Sequence, residues 1–443
     1  MKHFRLPVGR IAIFLGVMLL NLFITSQCLA KEVVVELVWK FGQTGWLNIT
    51  IEQGQYEIIT ATYTGKFPEG SSLQVGWGGW APVLRLKQED YQLLRGATVQ
   101  LTEISQGKGT LKITSQQGEQ ASYRGGLSLT WLGDHWKLIN NLEEEDYLKG
   151  VVPVEMSNAW AKDGLEGLKA QAIAARTFMA KNLQNQKRLT DSPDIDQAYA
   201  GKAVEGSATA AVEATTGQIL VDNQTLKTID AFYSAHNGGY SEATENVWLN
   251  KDKHFSAHPD PFSRGVGGAA DQWRFIASAQ VIGQKFGLGP VKQIELDKFP
   301  SGRVKGVRLV DNTEKTRALT GREFVKAFYP FGQSISRFAF LGSLFEVSYT
   351  PTDHFKEFLS GSLKLPYPVQ EQEMRGPLLG KIISSSQGSS PKVQPFGVFI
   401  FSGRGWGHGV GMSQWGAYHM AQLGYGYADI LGFYYDNVVV VKR

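Results

Sequence analysis

Phe401-Ser-Gly-Arg-Gly-Trp-Gly-His-Gly-Val-Gly-Met-Ser-Gln-Trp-Gly-Ala-Tyr418 is the stretch around which this 443-residue chain is organised. Five glycines, Gly403 to Gly411, alternate with Arg404, Trp406, His408 and Val410. In an extended backbone that alternation places Arg404, Trp406 and His408 on one face. The glycines opposite let a second backbone or a ligand come close, or let the chain adopt positive φ. One reading is a tight turn that packs Trp406 and Trp415 in a core. The favoured reading is a ligand groove wall with a basic, aromatic and imidazole lining.

The length suggests two or three domains. A hydrophobic fraction of 42% and an aromatic fraction of 12% describe a globular chain. Residues 1–30 read as an export signal: Lys2, Arg5 and Arg10, then the apolar run Ile11 to Ile24, then small residues ending at Ala30. An uncleaved membrane anchor is the alternative. The sole cysteine is Cys28, so a cleaved chain has neither a disulfide nor a thiolate ligand. Setting the leader's three cations aside leaves 42 basic against 41 acidic residues, a net of about +1. That balance gives no support to nucleic-acid binding.

Residues 31–122 form short alternating runs such as Gly45-Trp-Leu-Asn-Ile-Thr-Ile51 and Gly109-Thr-Leu-Lys-Ile-Thr114, which predict a β-rich N-terminal domain. Gly76-Trp-Gly-Gly-Trp80 either stacks on sugars or packs beneath a turn. From residue 123 the pattern becomes mixed α/β, giving an α+β chain overall. Glu143 to Asp146 read as a solvated helix start. Glu155 follows Val151-Val-Pro-Val154 and precedes Met156. Apolar surroundings of this kind raise a carboxyl pKa. Its plainer role is to cap the next helix. Asp163-Gly-Leu-Glu166 looks like a capping box for a helix carrying Leu165, Leu168, Ala172, Ala175 and Met179. Arg176 lies off that stripe and faces either solvent or substrate. Farther on, a helical piece spans 206–216, and Thr228 to Gly239 runs a strand into a glycine turn. Ser234, His236 and Asn237 stand at its end. No Gly-x-Ser-x-Gly elbow surrounds Ser234, which argues against a serine hydrolase.

Tyr147-Leu-Lys-Gly-Val-Val-Pro-Val-Glu-Met156, Leu168-Lys-Ala-Gln-Ala-Ile-Ala-Ala-Arg-Thr177 and Phe232-Tyr-Ser-Ala-His-Asn-Gly-Gly239 together resemble the SpoIID/LytB family. Glu245-Asn-Val-Trp248, Gly403 to Ala417 and Tyr427 to Tyr435 extend the resemblance, which covers 123–443 apart from a Ser-rich, flexible insertion at about 352–395. The family comprises exported cell-wall proteins, including a sporulation protein and an amidase enhancer. The resemblance implies a lytic transglycosylase acting on peptidoglycan glycan strands stripped of stem peptides. It places the catalytic glutamate on Glu155. The alternative it implies is a non-catalytic glycan-binding modifier that stimulates a cell-wall amidase.

The substrate groove is then expected to gather Arg176, Ser234, His236, Gly238, Gly239, Arg404, His408 and Gln414 around Glu155. Ser157 stands where the family usually has proline. Some members carry a Cys/His zinc cluster near the glycine turn, which this chain lacks the cysteines to form. His254 and His258 have i, i+4 spacing, but Pro259 and Pro261 make a loop of that segment. No cofactor is expected. Accordingly, EDTA should leave glycan cleavage unchanged. Loss of activity in EDTA that zinc restores would reveal a metal centre.

Overall fold

The computed structural model describes residues 31–443 apart from 43, 88, 95, 249, 330–338 and 352–395. The expected leader and the expected insertion lie outside the described residues.

Period-two alternation of apolar residues builds two sheets over one core. The seven-stranded sheet runs Leu189–Thr190, Glu32–Glu36, Trp136–Glu143, Gly126–Trp131, Thr98–Glu103, Gln55–Ile59, Thr64–Pro68. Its neighbours are antiparallel except Leu189–Thr190, which runs parallel to Glu32–Glu36. The six-stranded sheet runs Gln120–Arg124, Thr110–Ser115, Leu47–Gln53, Ser72–Trp77, Pro82–Leu86, Glu89–Gln92. Val33, Val35, Ile49, Tyr56, Ile58, Val99, Ile113 and Leu129 point inward and are fully buried. Each such burial stabilises by roughly 1.5–3 kcal/mol. The tryptophans of the 76–80 turn divide their work. Trp77 stacks on Trp131 with centroids 5.6 Å apart, while Trp80 is 68% exposed.

The expected division after residue 122 falls inside this unit. Gly126–Trp131 and Trp136–Glu143 supply two inner strands of the larger sheet. The Gly125-Gly126 pair, which read as a change of character, is where the chain passes from one sheet to the other.

Among the described residues eight α-helices follow: α1 (Glu144–Glu155), α2 (Leu165–Gln184), α3 (Thr209–Ala214), α4 (Thr244–Trp248), α5 (Ala279–Lys285), α6 (Gly321–Phe328), α7 (Gln414–Gln422) and α8 (Tyr427–Tyr434). Tyr147, Leu148, Val151 and Val152 of α1, with Leu168, Ala172, Ala175 and Met179 of α2, join the core of the two sheets. Beyond α4, a phenylalanine-rich core of Phe275, Phe324, Phe340 and Phe401 lies between two three-stranded sheets and α6. The strand Val438–Lys442 returns to pair with Gln218–Asp222.

Two expected helix starts differ in their chemistry. The Asp163/Glu166 capping box does not form: α2 begins at Leu165 behind Gly164, with no side-chain cap. Asp163 instead accepts from Tyr418 Oη at 2.8 Å and Gln422 Nε2 at 3.0 Å, so α7 has claimed it. The acidic start of α1 is ion-paired, not merely solvated: Glu144 meets Arg443, Asp146 meets Lys149, and Glu145 meets Arg176.

That last pair corrects the reading of Arg176 as a groove residue. Its side chain is fully buried, forked onto Glu145 at 2.8 and 2.7 Å. It also donates to the carbonyls of Val212 at 3.2 Å and Gln218 at 3.1 Å. Arg176 thus ties α1, α2, α3 and the 218–222 strand together. Arg176→Met should lower unfolding free energy by about 3 kcal/mol, because Glu145 loses its partner in a largely buried setting. Denaturant titration checks this. Wild-type stability with weakened glycan binding would return Arg176 to the groove.

Candidate active site around Glu155

Glu155 occupies the last turn of α1, where Pro153 brings no N–H and Met156 turns to an extended conformation. The residue keeps part of its surface open, but protein encloses the carboxyl. Burial pushes its pKa up, against three hydrogen-bond donors that favour the charged form. They are Ala198 N–H, 2.9 Å from Oε1, Gln414 Nε2, 3.1 Å from Oε2, and the Tyr233 hydroxyl.

Each donor arrives for a local reason. Ala198 sits on a loop laid against α1 at Gly150, where a Cβ would lie 2.5 Å from the Tyr199 ring. Ala200 N–H bonds Gly150 O at 3.1 Å, and Tyr199 Oη donates to Asn140 Oδ1 at 2.8 Å. The loop is held to the sheets through Asp191. Its Oδ1 accepts from the backbone of Val38 and Trp39 at 2.7 and 2.8 Å, and its carbonyl accepts from Tyr199 N. Burial raises the Asp191 carboxyl to about 6.

Tyr233 and Gln414 come together through strand pairing. Tyr233–Ser234 runs parallel to Met412–Ser413. Ser413 caps α7 by accepting from Gly416 N at 3.3 Å, which puts Gln414 in the first turn beside Glu155. The glycine run does not remain extended. The strand ends at Arg404, and Gly405, Gly407, Gly409 and Gly411 all take positive φ. At Gly411 a Cβ would also stand 2.0 Å from Phe232 O, so glycine is required there twice over.

The remaining expected residues build the frame. His236 is fully buried. Its Nδ1 accepts from Gly238 N at 2.9 Å and its Nε2 lies 3.1 Å from Val266 O, which assigns the proton to Nε2. Burial lowers its pKa, opposed by Asp271. Gly238 and Gly239 form the turn, with φ of 76° and 90°, and Asn237 Oδ1 accepts from Gly239 N. Ser234 Oγ is buried and has neither a hydrogen-bond partner nor a base among the described residues. His408 accepts from Val410 N at 3.0 Å and meets the Tyr233 backbone. Burial, then the charge of Arg303, hold it down at about 4, so its imidazole is neutral. Arg404 is exposed at its strand end. Among the expected residues, Gln414 alone has its side chain hydrogen-bonded to Glu155. Arg176 and His236 are scaffold.

Sequence reasoning missed Tyr233, Gln197 and Trp160. The first lay inside a quoted motif, but its period-two position gave no sign of a hydroxyl reaching across to α1. Trp160 follows the acid by five residues, stacks on Tyr418 at 4.4 Å and meets Trp415 edge-on at 4.5 Å. These partly exposed rings form a cluster between α7, next to Gln414 in sequence, and the turn that follows α1. Among the described residues no cluster of His, Cys, Asp or Glu is placed to hold a metal. His254 is bracketed by Asp252 at 2.6 Å and Asp222 at 3.0 Å instead of pairing with His258.

The family model for stage II sporulation protein, SpoIID, matches residues 133–221. The amidase enhancer of Bacillus subtilis (strain 168) is 31% identical over 67% of this chain. That match spans 40% of the amidase enhancer's own length. The stage II sporulation protein D of Bacillus amyloliquefaciens is 25% identical over 68% of this chain and 74% of its own. Its Bacillus subtilis (strain 168) counterpart is 24% identical, over 68% and 75% respectively. With a SpoIID segment that contains Glu155 and relatives aligned along two thirds of its length, the chain belongs to the SpoIID/LytB family.

Proposed function

We propose that this protein is an exported peptidoglycan lytic transglycosylase with Glu155 as its acid and base. The observation that carries this reading is the environment of Glu155: a carboxyl with raised pKa, in a residue that keeps part of its surface open, with no acidic hydrogen-bond partner among the described residues. A glycoside hydrolase needs a second carboxylate to activate water or to attack. A transglycosylase does not, because the muramoyl 6-hydroxyl is the nucleophile. Protonated Glu155 gives its proton to the glycosidic oxygen as the C1–O bond breaks. O6 bonds to C1, and its proton passes to the Glu155 carboxylate. The products are an N-acetylglucosamine 4-hydroxyl end and a 1,6-anhydromuramoyl end, with no water consumed. Trp160, Trp415 and Tyr418 provide ring faces suited to sugar C–H groups. The similarity to an amidase enhancer favours a second reading, in which the same groove binds glycan and stimulates an amidase without cleaving.

Peptide-free glycan strands incubated with the protein should yield anhydromuramoyl ends detectable by mass. Glu155→Gln should lose cleavage by a hundred- to ten-thousand-fold while still binding insoluble glycan. Retained cleavage would remove Glu155 from the mechanism. Amidase stimulation by a wild type that does not cleave would favour the modifier. Stability gives a separate check. A carboxyl whose folded pKa is raised stabilises fully below its unfolded pKa, and that contribution is lost as pH rises through the folded value. Glu155→Gln should therefore match wild type in melting temperature near pH 4 and exceed it at pH 8. Were Glu155 a helix cap, the substitution would lower the melting temperature and spare activity.

A further inference from the structure

The hydrogen bonds behind Glu155 run in one direction. Tyr147 Oη lies 3.2 Å from Gln197 Oε1, and only the tyrosine has a hydrogen to give. Gln197 Nε2 lies 3.3 Å from Ala175 O and 2.8 Å from Tyr233 Oη. Turning the amide over would set two oxygens, Oε1 and Ala175 O, against each other. Two neighbours on α1 and α2 therefore fix its orientation, and Gln197 must donate to the Tyr233 oxygen. That leaves Tyr233 one hydrogen, with the Glu155 carboxyl near enough for each group to bear on the other's titration.

We propose that Tyr233 is a positioning residue, an obligate donor to Glu155 oriented by the Tyr147–Gln197 relay. It stabilises the carboxylate that appears once Glu155 has released its proton. The proposal rests on the lytic reading for its catalytic meaning. Tyr233 keeps its own proton throughout: burial, then the neighbouring Glu155, raise its phenol well above the usual range. Ala198 N–H and Gln414 Nε2 act in the same sense from the loop and from α7. The titratable groups facing the pair are Tyr147 of α1 and Tyr435 after α8; His408 of the glycine run meets the Tyr233 backbone, and Asp191 and Asp196 of the loop bear on Tyr147.

Hydrogen bonds to charged groups are strong enough that losing one moves a carboxyl titration by about one pH unit. In full-length protein labelled with 13C-glutamate, the Glu155 signal is assigned by its absence in Glu155→Gln. Its titration midpoint should move up by about that amount in Tyr233→Phe. The alkaline fall of kcat should move with it, because the acid then stays protonated to higher pH. The value of kcat should drop about tenfold with KM little changed. Tyr147→Phe frees the Gln197 amide to turn, and should shift the midpoint less and in the same direction. This second variant carries the test if Tyr233→Phe does not fold. An unchanged midpoint overturns the role of Tyr233 whatever the activity. A raised midpoint in a protein whose wild type does not cleave glycan supports the donor assignment and overturns the lytic reading alone.

Discussion

Enclosing a carboxyl in protein and aiming three donors at it sets two opposed effects on the same atoms. Desolvation favours the neutral acid, and the donors favour the anion. At Glu155 desolvation is the larger, and the pKa stays raised. A group proposed to give a proton and then take one back is served by this opposition, because burial favours the acid while the donors steady the anion. The rest of the molecule can be read as the scaffold that holds both effects on one carboxyl.

That scaffold draws on distant parts of the chain. The backbone donor depends on a loop held at one end by Gly150 and at the other by Asp191, whose carboxylate grips the chain just after the first strand. Gln414 depends on the Ser413 cap and on the close pass that four positive-φ glycines allow. Tyr233 depends on a two-residue pairing with Met412–Ser413. The two large sheets share one hydrophobic core with α1 and α2, so a change in the β unit bears directly on the helix that carries Glu155.

Much of this was legible in the sequence. Alternation located the N-terminal strands, since a half-buried strand repeats every two residues. The apolar neighbours of Glu155 signalled its enclosure. Gln414 was visible as a polar residue of the glycine-rich segment expected to wall the groove. Arg176 was ambiguous because helical periodicity shows which residues leave the apolar stripe, not whether a partner waits there. Its partner, Glu145, lies on another helix. Asp163 had the spacing of a capping box, but Tyr418 and Gln422 of α7 compete for the same carboxyl, and long-range contacts have no local signature. Nor does a strand sequence tell that Gly126–Trp131 and Trp136–Glu143 complete a sheet begun a hundred residues earlier.

The strand Val438–Lys442 has a consequence for how the molecule is made. It pairs with Gln218–Asp222, and Arg443 beside it binds Glu144 at the start of the helix that ends in Glu155. The first strand pairs with residues 139–143 and with 189–190. Contacts of such sequence separation form late and slowly. A ribosome-bound chain short of residue 438 lacks the edge that closes this arrangement, so the frame around Glu155 is completed only once the 438–442 strand has emerged. Until then the helix that ends in Glu155 lacks the contact between Arg443 and Glu144 at its start.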